Sequence, residues 1–223
     1  MGISREQRSL VICESPNKVK TISQILKEAG YTKAVVCPSV GHISEIRDSG
    51  VFNMGIDPEK NFHADYVVSP DKKEVVEKLK EQVELADIVY ICSDPDREGE
   101  AIAWHLQDAL KLKDAKRVTY SEITESAIKE ALAAPRAIDM HLVAAQEGRR
   151  ALDRLCGYMV SGPLSNAAGE NLSAGRVQSP AVRLVVERER EIKSFQSTTH
   201  YTVEATFESV DNITDGWKAT WQL

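Results

Sequence analysis

The acidic residues Asp94, Asp96 and Glu98 lie at alternate positions at the start of the sequence DPDREGE. The apolar residues 87–92 before them predict a buried strand, and residues 101–110 after them predict an amphipathic helix. If the backbone stays extended through this stretch, the carboxylates point to the same side and lie close together. Neighbouring carboxylates resist ionising together unless a cation neutralises them, and oxygen ligands of this kind suit Mg²⁺. The alternative interpretation is an ordinary acidic helix N-terminus, which the helix dipole favours.

A second predicted strand ends in charged residues in the same way. Residues 10–13 are apolar, and Ser15, followed by proline, is a typical N-cap for a helix. Glu14 therefore lies at the tip of a strand and above a helix start, as Asp94 does. Lys18 falls in the first turn of this helix, where the dipole disfavours a cation but where a bound phosphate would be stabilised. An ordinary solvated lysine is the alternative for Lys18.

Strand-like and helix-like segments alternate over the first 135 residues. Strands are predicted at residues 10–13, 33–37, 65–68, 87–92 and 117–120, and helices at residues 16–29, 72–85, 101–110 and 125–133. This alternation predicts an α/β fold, in which a parallel sheet carries helices on both faces through right-handed crossovers. Ligands of such sheets bind at the carboxyl ends of the strands, where the acidic stretch lies.

A different pattern begins after residue 135 and predicts a mainly helical domain. Residues 139–159 predict one long helix, whose polar residues Gln146, Arg150, Asp153 and Arg154 share a face that Tyr158 continues. This face is either the wall of a groove for single-stranded nucleic acid, with arginines for phosphates and an aromatic ring for stacking, or a salt-laced exposed surface. Residues 161–169 predict a turn-rich break.

The sequence LSAGRVQSP follows, in which small residues and Arg176 before a helix allow a phosphate to approach the backbone closely. Residues 182–192 predict a helix, and residues 202–208 and 217–223 predict strands.

Composition and charge limit the class of protein. The chain has 223 residues and a net charge of −6, but residues 136–193 carry nine Lys or Arg against seven Asp or Glu, so the net positive charge is local. No apolar run reaches 18 residues, and the polar start does not resemble a secretory signal. The four cysteines show no C-x-x-C spacing, which argues against zinc and favours a reduced, cytoplasmic protein.

Several motifs together resemble the bacterial type IA DNA topoisomerases. They are ESPNK at residues 14–18, SVGHI at residues 39–43, DPDREGE at residues 94–100 and LSAGRVQS at residues 172–179. The first half is similar to the TOPRIM domain, which primases, recombination proteins and some nucleases also contain. The arginine-rich helix and the LSAGRVQS sequence separate the topoisomerases from those relatives.

The resemblance implies a role for each candidate residue. Glu14 would be the general acid and base at the 3′-oxygen, Lys18 and Arg176 would stabilise the scissile phosphate, and Asp94, Asp96 and Glu98 would bind Mg²⁺. The residues implied in DNA binding are His42, Arg149, Arg150, Asp153, Arg154, Tyr158, Ser173 and Gln178. The function implied is relaxation of negatively supercoiled DNA by a monomer that binds single-stranded DNA and no membrane.

The family nucleophile is a tyrosine in an Arg-Tyr-Thr/Ser motif, and none of the six tyrosines here lies in such a motif. The chain is therefore expected to be an N-terminal fragment that binds DNA and Mg²⁺ without cleaving. We predict a TOPRIM domain at residues 9–135, a helical single-strand-binding domain at residues 136–199 and the truncated start of a β domain at residues 200–223. Two alternatives remain, namely a Mg²⁺-dependent nuclease and a non-catalytic strand-binding module.

Overall fold

The computed structural model describes residues 5–50, 53–208 and 217–222. Its strands are β1 (Ser9–Cys13), β2 (Val35–Pro38), β3 (Ser44–Ile46), β4 (Ile56–Asp57), β5 (His63–Ala64), β6 (Tyr66–Val68), β7 (Ile88–Cys92), β8 (Lys116–Val118), β9 (Thr202–Phe207) and β10 (Trp217–Gln222). Its helices are α1 (Pro16–Glu28), α2 (Lys73–Glu84), α3 (Arg97–Ala109), α4 (Glu125–Ala133), α5 (Met140–Ala168) and α6 (Gln178–Ser194). Short 3₁₀ turns cover Pro58–Lys60 and Pro70–Lys72. Two compact units divide between Arg176 and Val177.

The first unit is built on a parallel sheet with the strand order β2-β1-β7-β8. Alternate residues of β1 and β7 face opposite sides, so Leu10 and Ile12 pack in one apolar cluster with α2 and α3, whereas Val11 and Cys13 pack in another with α1 and α4. Both faces are therefore covered, which explains why these strands are continuous apolar runs. Each fully buried aliphatic side chain contributes about 1.5–3 kcal/mol. The predicted α/β class is confirmed.

Two small antiparallel sheets of the first unit lie outside the parallel one. The prediction of a strand near residues 65–68 is confirmed, but β6 pairs antiparallel with β3 and does not extend the main sheet. Strands β4 and β5 form the second small pair, in the stretch of chain between β3 and β6. A parallel pairing needs a long crossover, usually a helix, and no α-helix occurs among the described residues between β2 and β6.

Helix α5 is longer than the sequence predicts. It begins after the Asp139 N-cap and continues to Ala168 with Pro163 inside it, so the predicted break at residues 161–169 is wrong. Proline removes one helical hydrogen bond, but the hydroxyls of Ser161 and Ser165 bind the returning segment. The amide of Ala174 donates to Ser161 Oγ (2.9 Å), and the amide of Leu172 donates to Ser165 Oγ (3.0 Å). The helix ends at Gly169 in the left-handed conformation that favours glycine.

The second unit contains α6 and the antiparallel pair β9 and β10. The predicted helix and strands are confirmed where the structure describes them, whereas residues 209–216 and 223 of the predicted β domain lie outside the described residues. The rings of Phe207 and Trp217 stack with their centroids 4.0 Å apart. Within the described ranges, no helix has the length and apolar character to span a bilayer. The domain boundaries at residues 135 and 199 stay a prediction.

Candidate active site

The carboxyl ends of β1 and β7 bring the first predicted site residues together. These strands are neighbours with Cys13 opposite Cys92, so the segments that leave them lie side by side. Lys18, in the first turn of α1, donates from Nζ to Asp94 Oδ1 over 2.7 Å. The predicted helix start is also confirmed, because Ser15 caps α1 and Pro16 begins it. Two stretches 76 residues apart thus meet through one ion pair.

The Lys18 ammonium is largely buried at this edge, with 20% of its side chain exposed. Burial alone would lower its pKa, but the hydrogen bond from Lys18 to Asp94 and the charges of Glu14 and Asp94 outweigh that effect, so the pKa is raised. The ammonium also lies 5.7 Å from the centre of the Tyr120 ring. A permanent positive charge between two acidic residues is therefore built into the carboxyl edge of the sheet.

The acidic stretch does not have the extended backbone that the alternating spacing predicts. Helix α3 begins at Arg97, so Glu98 lies in its first turn and Asp96 is the N-cap. Asp96 Oδ1 accepts a hydrogen bond from the Gly99 amide over 2.7 Å. Aspartate is a favoured N-cap and the dipole favours acids in the first turn, so the helix extends further back than expected.

Gly99 allows two backbone segments, at residues 94 and 99, to approach each other closely at the start of α3. A Cβ atom at position 99 would lie 2.2 Å from the carbonyl oxygen of Asp94, closer than any side-chain atom can approach. Ser93 holds the same two segments together, because its hydroxyl donates a hydrogen bond to the Gly99 carbonyl over 2.8 Å. The glycine in DPDREGE is therefore required by a close backbone approach.

Glu98 is held by residues from two other segments. His42 Nε2 and Gln146 Nε2 both donate to Glu98 Oε2, over 3.0 and 2.9 Å. Burial lowers the pKa of His42; Glu98 opposes that shift, and the charge of Arg150 adds to it, so the ring is neutral near neutral pH. Sequence reasoning placed Gln146 on a groove wall and did not foresee this contact between α5 and the acidic stretch.

A buried ion-pair network lies directly beneath the acidic stretch, and sequence reasoning missed it. Arg117 Nε donates to Glu100 Oε1 over 2.9 Å, and neither side chain is exposed to solvent. Arg117 also donates to the carbonyls of Ser93 (3.0 Å) and Asp94 (2.9 Å), and so fixes the tip of β7. Arg136 bonds to the same carboxylate. The signal was an arginine within the short strand β8, since an arginine that is buried there needs an acidic partner.

The carboxylate oxygens at this edge are ligands that suit Mg²⁺, although each candidate ligand already has a hydrogen-bond partner. Asp94 accepts from Lys18, Asp96 from the Gly99 amide, and Glu98 from His42 and Gln146. No group of three potential ligands gathers at one point in the part of the chain that the structure describes. Mg²⁺ is commonly held by one or two carboxylates together with water and substrate phosphates, so Asp94 and Glu98, both about half exposed, fit that mode.

Two arginines of α5 hold β3 and the loop that follows it. Arg150 Nη2 donates to the Ser44 carbonyl (3.1 Å), and Arg154 Nε donates to the Met54 carbonyl (2.6 Å). Arg154 also forms an ion pair with Asp48 and lies 5.0 Å from the centre of the Tyr158 ring. These side chains therefore have structural contacts on the face that the sequence assigns to a nucleic-acid groove.

A cavity of about 300 Å³ nevertheless opens on that face of α5. It is lined by polar and aromatic side chains, namely Glu45, Arg150, Asp153, Arg154 and Tyr158. Arg176 Nε donates to Asp153 Oδ1 over 2.7 Å, and Arg149 lies 3.8 Å from the other oxygen of Asp153. The hydrogen bond to Asp153 raises the pKa of Arg176. The structure thus places Arg176 next to this face.

Ser173 lies on the exposed segment between α5 and α6, and Gln178 is the exposed first residue of α6 in the second unit. The roles of these two residues in DNA binding stay a prediction.

Comparisons with known proteins identify the family. Residues 9–123 match the Toprim domain, and residues 137–222 match the family described as DNA topoisomerase. The chain belongs to the type IA DNA topoisomerase family. It is 52% identical over 213 residues to "DNA topoisomerase I, plasmid" of Xylella fastidiosa (strain 9a5c), a match that covers 95% of this chain and 31% of that relative.

A solved topoisomerase structure agrees with this assignment. The full-length topoisomerase I from Thermotoga maritima superimposes with a TM-score of 0.74 and 43% identity, over 89% of this chain and 33% of that one. The chain thus spans about a third of the length of the topoisomerases it matches. The first of its two family domains, the Toprim domain, is generally a Mg²⁺-binding domain.

Proposed function

We propose that this chain is the N-terminal part of a type IA topoisomerase that relaxes negatively supercoiled DNA by breaking and rejoining one strand. The chain would supply the groups that bind and stabilise the scissile phosphate. It would also form one wall of the groove that binds single-stranded DNA. The nucleophilic tyrosine would lie elsewhere in the parent protein, which we expect to act as a monomer in the cytoplasm. Family membership and the carboxyl edge of β1 and β7 support the proposal.

The observation that carries the proposal is the Lys18 ammonium, held 2.7 Å from Asp94 at the sheet edge where ligands of parallel sheets bind. Lys18 keeps this contact with only 20% of its side chain exposed, which distinguishes it from an ordinary solvated lysine. A fixed cation in a partly dry site stabilises the negative charge that develops on phosphate oxygens in the transition state. Such a site can bind a phosphate as soon as Asp94 gives up its contact with Lys18.

Each remaining group has one task in the proposed reaction. The tyrosine hydroxyl loses its proton to solvent as its oxygen attacks phosphorus, the bond from phosphorus to the 3′-oxygen breaks, and Glu14 gives its proton to that oxygen. In rejoining, Glu14 takes the proton back from the 3′-hydroxyl as that oxygen attacks phosphorus. The bond from phosphorus to the tyrosine oxygen breaks, and the tyrosine regains a proton from solvent. Lys18 and Arg176 hold the phosphate charge in both directions, which requires Arg176 to leave Asp153.

We assign the Mg²⁺ site to Asp94, Glu98 and the second oxygen of Asp96. His42 and Gln146 orient Glu98, and Arg117 fixes the backbone of Asp94. When bound, the ion supplies further positive charge beside the phosphate. A rise in the melting temperature of the chain with added Mg²⁺, absent in Glu98→Gln, tests this assignment without any activity.

The proposed groove holds the strand on the exposed face of α5. Arg149, Arg150 and Arg154 would bind phosphates or base edges, with Asp153, His42 and Ser173 as further contacts. The role of Gln178, at the start of α6, is a separate expectation. Tyr158, 41% exposed, offers a ring for base stacking, which contributes about 1–3 kcal/mol per base. Because this region contains many arginines that would bind phosphates, we expect the affinity for single-stranded DNA to fall as the salt concentration rises.

The test uses end-labelled single-stranded and duplex oligonucleotides with Mg²⁺, followed by denaturing electrophoresis. We expect the chain to bind the single strand more tightly and to leave it uncut, since no nucleophile is supplied. Lys18→Met should weaken binding, whereas Lys27→Met, on the exposed side of the same helix, should not. In the parent protein, Glu14→Gln should abolish cleavage while Glu28→Gln retains it.

Other outcomes would favour the alternatives. Metal-dependent free nicks without a covalent adduct would favour the nuclease. Binding with no cleavage by the parent protein would favour the strand-binding module. A covalent adduct at a tyrosine of this chain, or equal affinity for duplex and single strand, would contradict the proposal.

A further inference from the structure

A cavity of about 720 Å³ lies apart from the acidic stretch, between the loop at residues 61–66, α3 and α5. Its walls are mostly apolar and include Phe62, Trp104, Val143 and Leu152. Glu14, Lys18 and Asp94 do not line it. A well-formed apolar cavity with a few polar groups is the usual form of a small-molecule site, and its volume suits a ligand of that size.

The cavity carries a single negative charge. Of its 14 lining residues, Glu147 is the one acidic residue, and none is lysine or arginine. Burial alone would raise the pKa of Glu147, but His105, Tyr66 and the charge of Arg150 outweigh that effect and lower it. The carboxylate is therefore ionised at neutral pH. An apolar cavity with one partly buried anion is complementary to a ligand with an apolar body and one positive charge.

The polar atoms around Glu147 are incompletely satisfied. Glu147 Oε1 lies 3.5 Å from His105 Nε2, at the long limit for a hydrogen bond. Among the described side chains, Glu147 Oε1, His105 Nε2 and the Tyr66 hydroxyl are buried without a hydrogen bond of ordinary geometry. Buried polar atoms normally have closer partners, so the Glu147 carboxylate can accept a stronger hydrogen bond from a ligand than His105 and Tyr66 provide. Two of the three residues, Tyr66 and Glu147, line the cavity.

We propose that this cavity is a binding site for a small amphiphilic cation, an aromatic or aliphatic body bearing one ammonium or amidinium group. The cation would pair with Glu147, and the apolar body would pack between Trp104 and the α5 residues Val143 and Leu152. The face of Trp104 adds a favourable surface for the charge. This inference does not depend on the proposed DNA function.

The test compares phenethylammonium with its neutral isostere, 2-phenylethanol, by titration calorimetry and by the Trp104 indole signal in NMR on the 223-residue chain. Because a charge-assisted hydrogen bond is lost with the alcohol, we expect the amine to bind about tenfold or more tightly. Glu147→Gln should bring the amine to the affinity of the alcohol. Glu84→Gln, an exposed acidic residue on α2, should leave the ratio unchanged.

A second variant keeps the test valid if Glu147→Gln fails to fold. Ala144→Phe places a ring in the cavity from an exposed position of α5 and should weaken both ligands. Equal affinity of amine and alcohol for the wild type would overturn the charge recognition. Absence of binding by both ligands, or binding that neither variant changes, would overturn the site.

Discussion

Gly99 has its place in the acidic stretch for a steric reason. Its backbone passes so close to the Asp94 carbonyl that a Cβ atom would lie 2.2 Å from that oxygen. This close approach also allows Asp96 to cap α3, by accepting a hydrogen bond from the Gly99 amide. The positions of Asp94 and Asp96 thus depend on a neighbour that carries no charge.

Gly99→Ala should destabilise the chain by about 1–3 kcal/mol, because the backbone must move to relieve the overlap. Urea unfolding measures this change. Gly148→Ala is the matched control, since it is an exposed position of α5 where an added Cβ meets nothing within 4 Å. That control should stabilise the chain by up to about 1 kcal/mol. Equal changes in unfolding free energy for the two variants would show that the backbone at Gly99 has room for a Cβ atom.

At the scale of elements, Glu100 joins α3 to the segment that leads into α5. Its carboxylate accepts hydrogen bonds from Arg117, Arg136 and the Asp139 amide. Asp139 is also the N-cap of α5, so the start of that helix is fixed to the start of α3. Glu98 and Gln146 form a second link between the same helices. The acidic stretch and the proposed groove are therefore held by one set of contacts.

Glu100→Gln should cost about 3–5 kcal/mol of unfolding free energy at neutral pH, because it leaves the Arg117 charge buried without an anion. Glu74→Gln, which removes one partner of an exposed ion pair on α2, should leave stability close to that of the wild type. Urea unfolding of both variants tests the difference. A Glu100→Gln protein as stable as the wild type would contradict the role given to this network.

The same network makes a prediction about pH. Burial would raise the pKa of Glu100, but hydrogen bonds from Arg136 and the Asp139 amide and the charge of Arg117 outweigh it and lower the pKa below its ordinary value of 4.5. A lowered folded-state pKa stabilises the fold above 4.5, and this contribution is lost as the pH falls through the lower value. The stability gap between wild type and Glu100→Gln should therefore shrink in acid. Urea unfolding of both proteins above and below pH 4.5 measures this gap. A gap that grows in acid would contradict a lowered pKa of Glu100 in the folded state.

At the scale of the whole molecule, the two compact units differ in how much they bury. The first unit contains both apolar clusters of the parallel sheet. In the second, no described side chain is buried, and α6 exposes Val182, Leu184 and Val185. Because burial of apolar area is the main stabilising contribution, the stability of this chain should reside in the first unit.

Deletion of residues 177–223 should therefore leave the cooperative thermal transition of the chain unchanged within error. Circular dichroism and calorimetry compare the truncated and intact chains. A matched deletion of α4, which packs Ile128 and Leu132 into the core, should abolish the transition. A large loss of melting temperature on removal of residues 177–223 would show that the first unit is not stable alone.

The sequence alone determined the alternation of strands and helices, the start of α1 after Ser15 and of α4 at residue 125, and the strand ends at which Glu14 and Asp94 lie. These features follow from local patterns, since apolar periodicity and capping act over a few residues. Parallel pairing then brings strand ends together, which is why Lys18 and Asp94 could be expected at one edge. The motifs themselves were sufficient to indicate the family.

Only the tertiary structure decided which partner each charged group has. Glu98 bonds to Gln146, Arg117 to Glu100, and Arg154 to the Met54 carbonyl, across 48, 17 and 100 residues of sequence. It also decided that α5 continues through Pro163, because Ser161 and Ser165 bind the returning segment. No local preference encodes such pairs, since the distance between two remote groups depends on how the helices pack on the sheet.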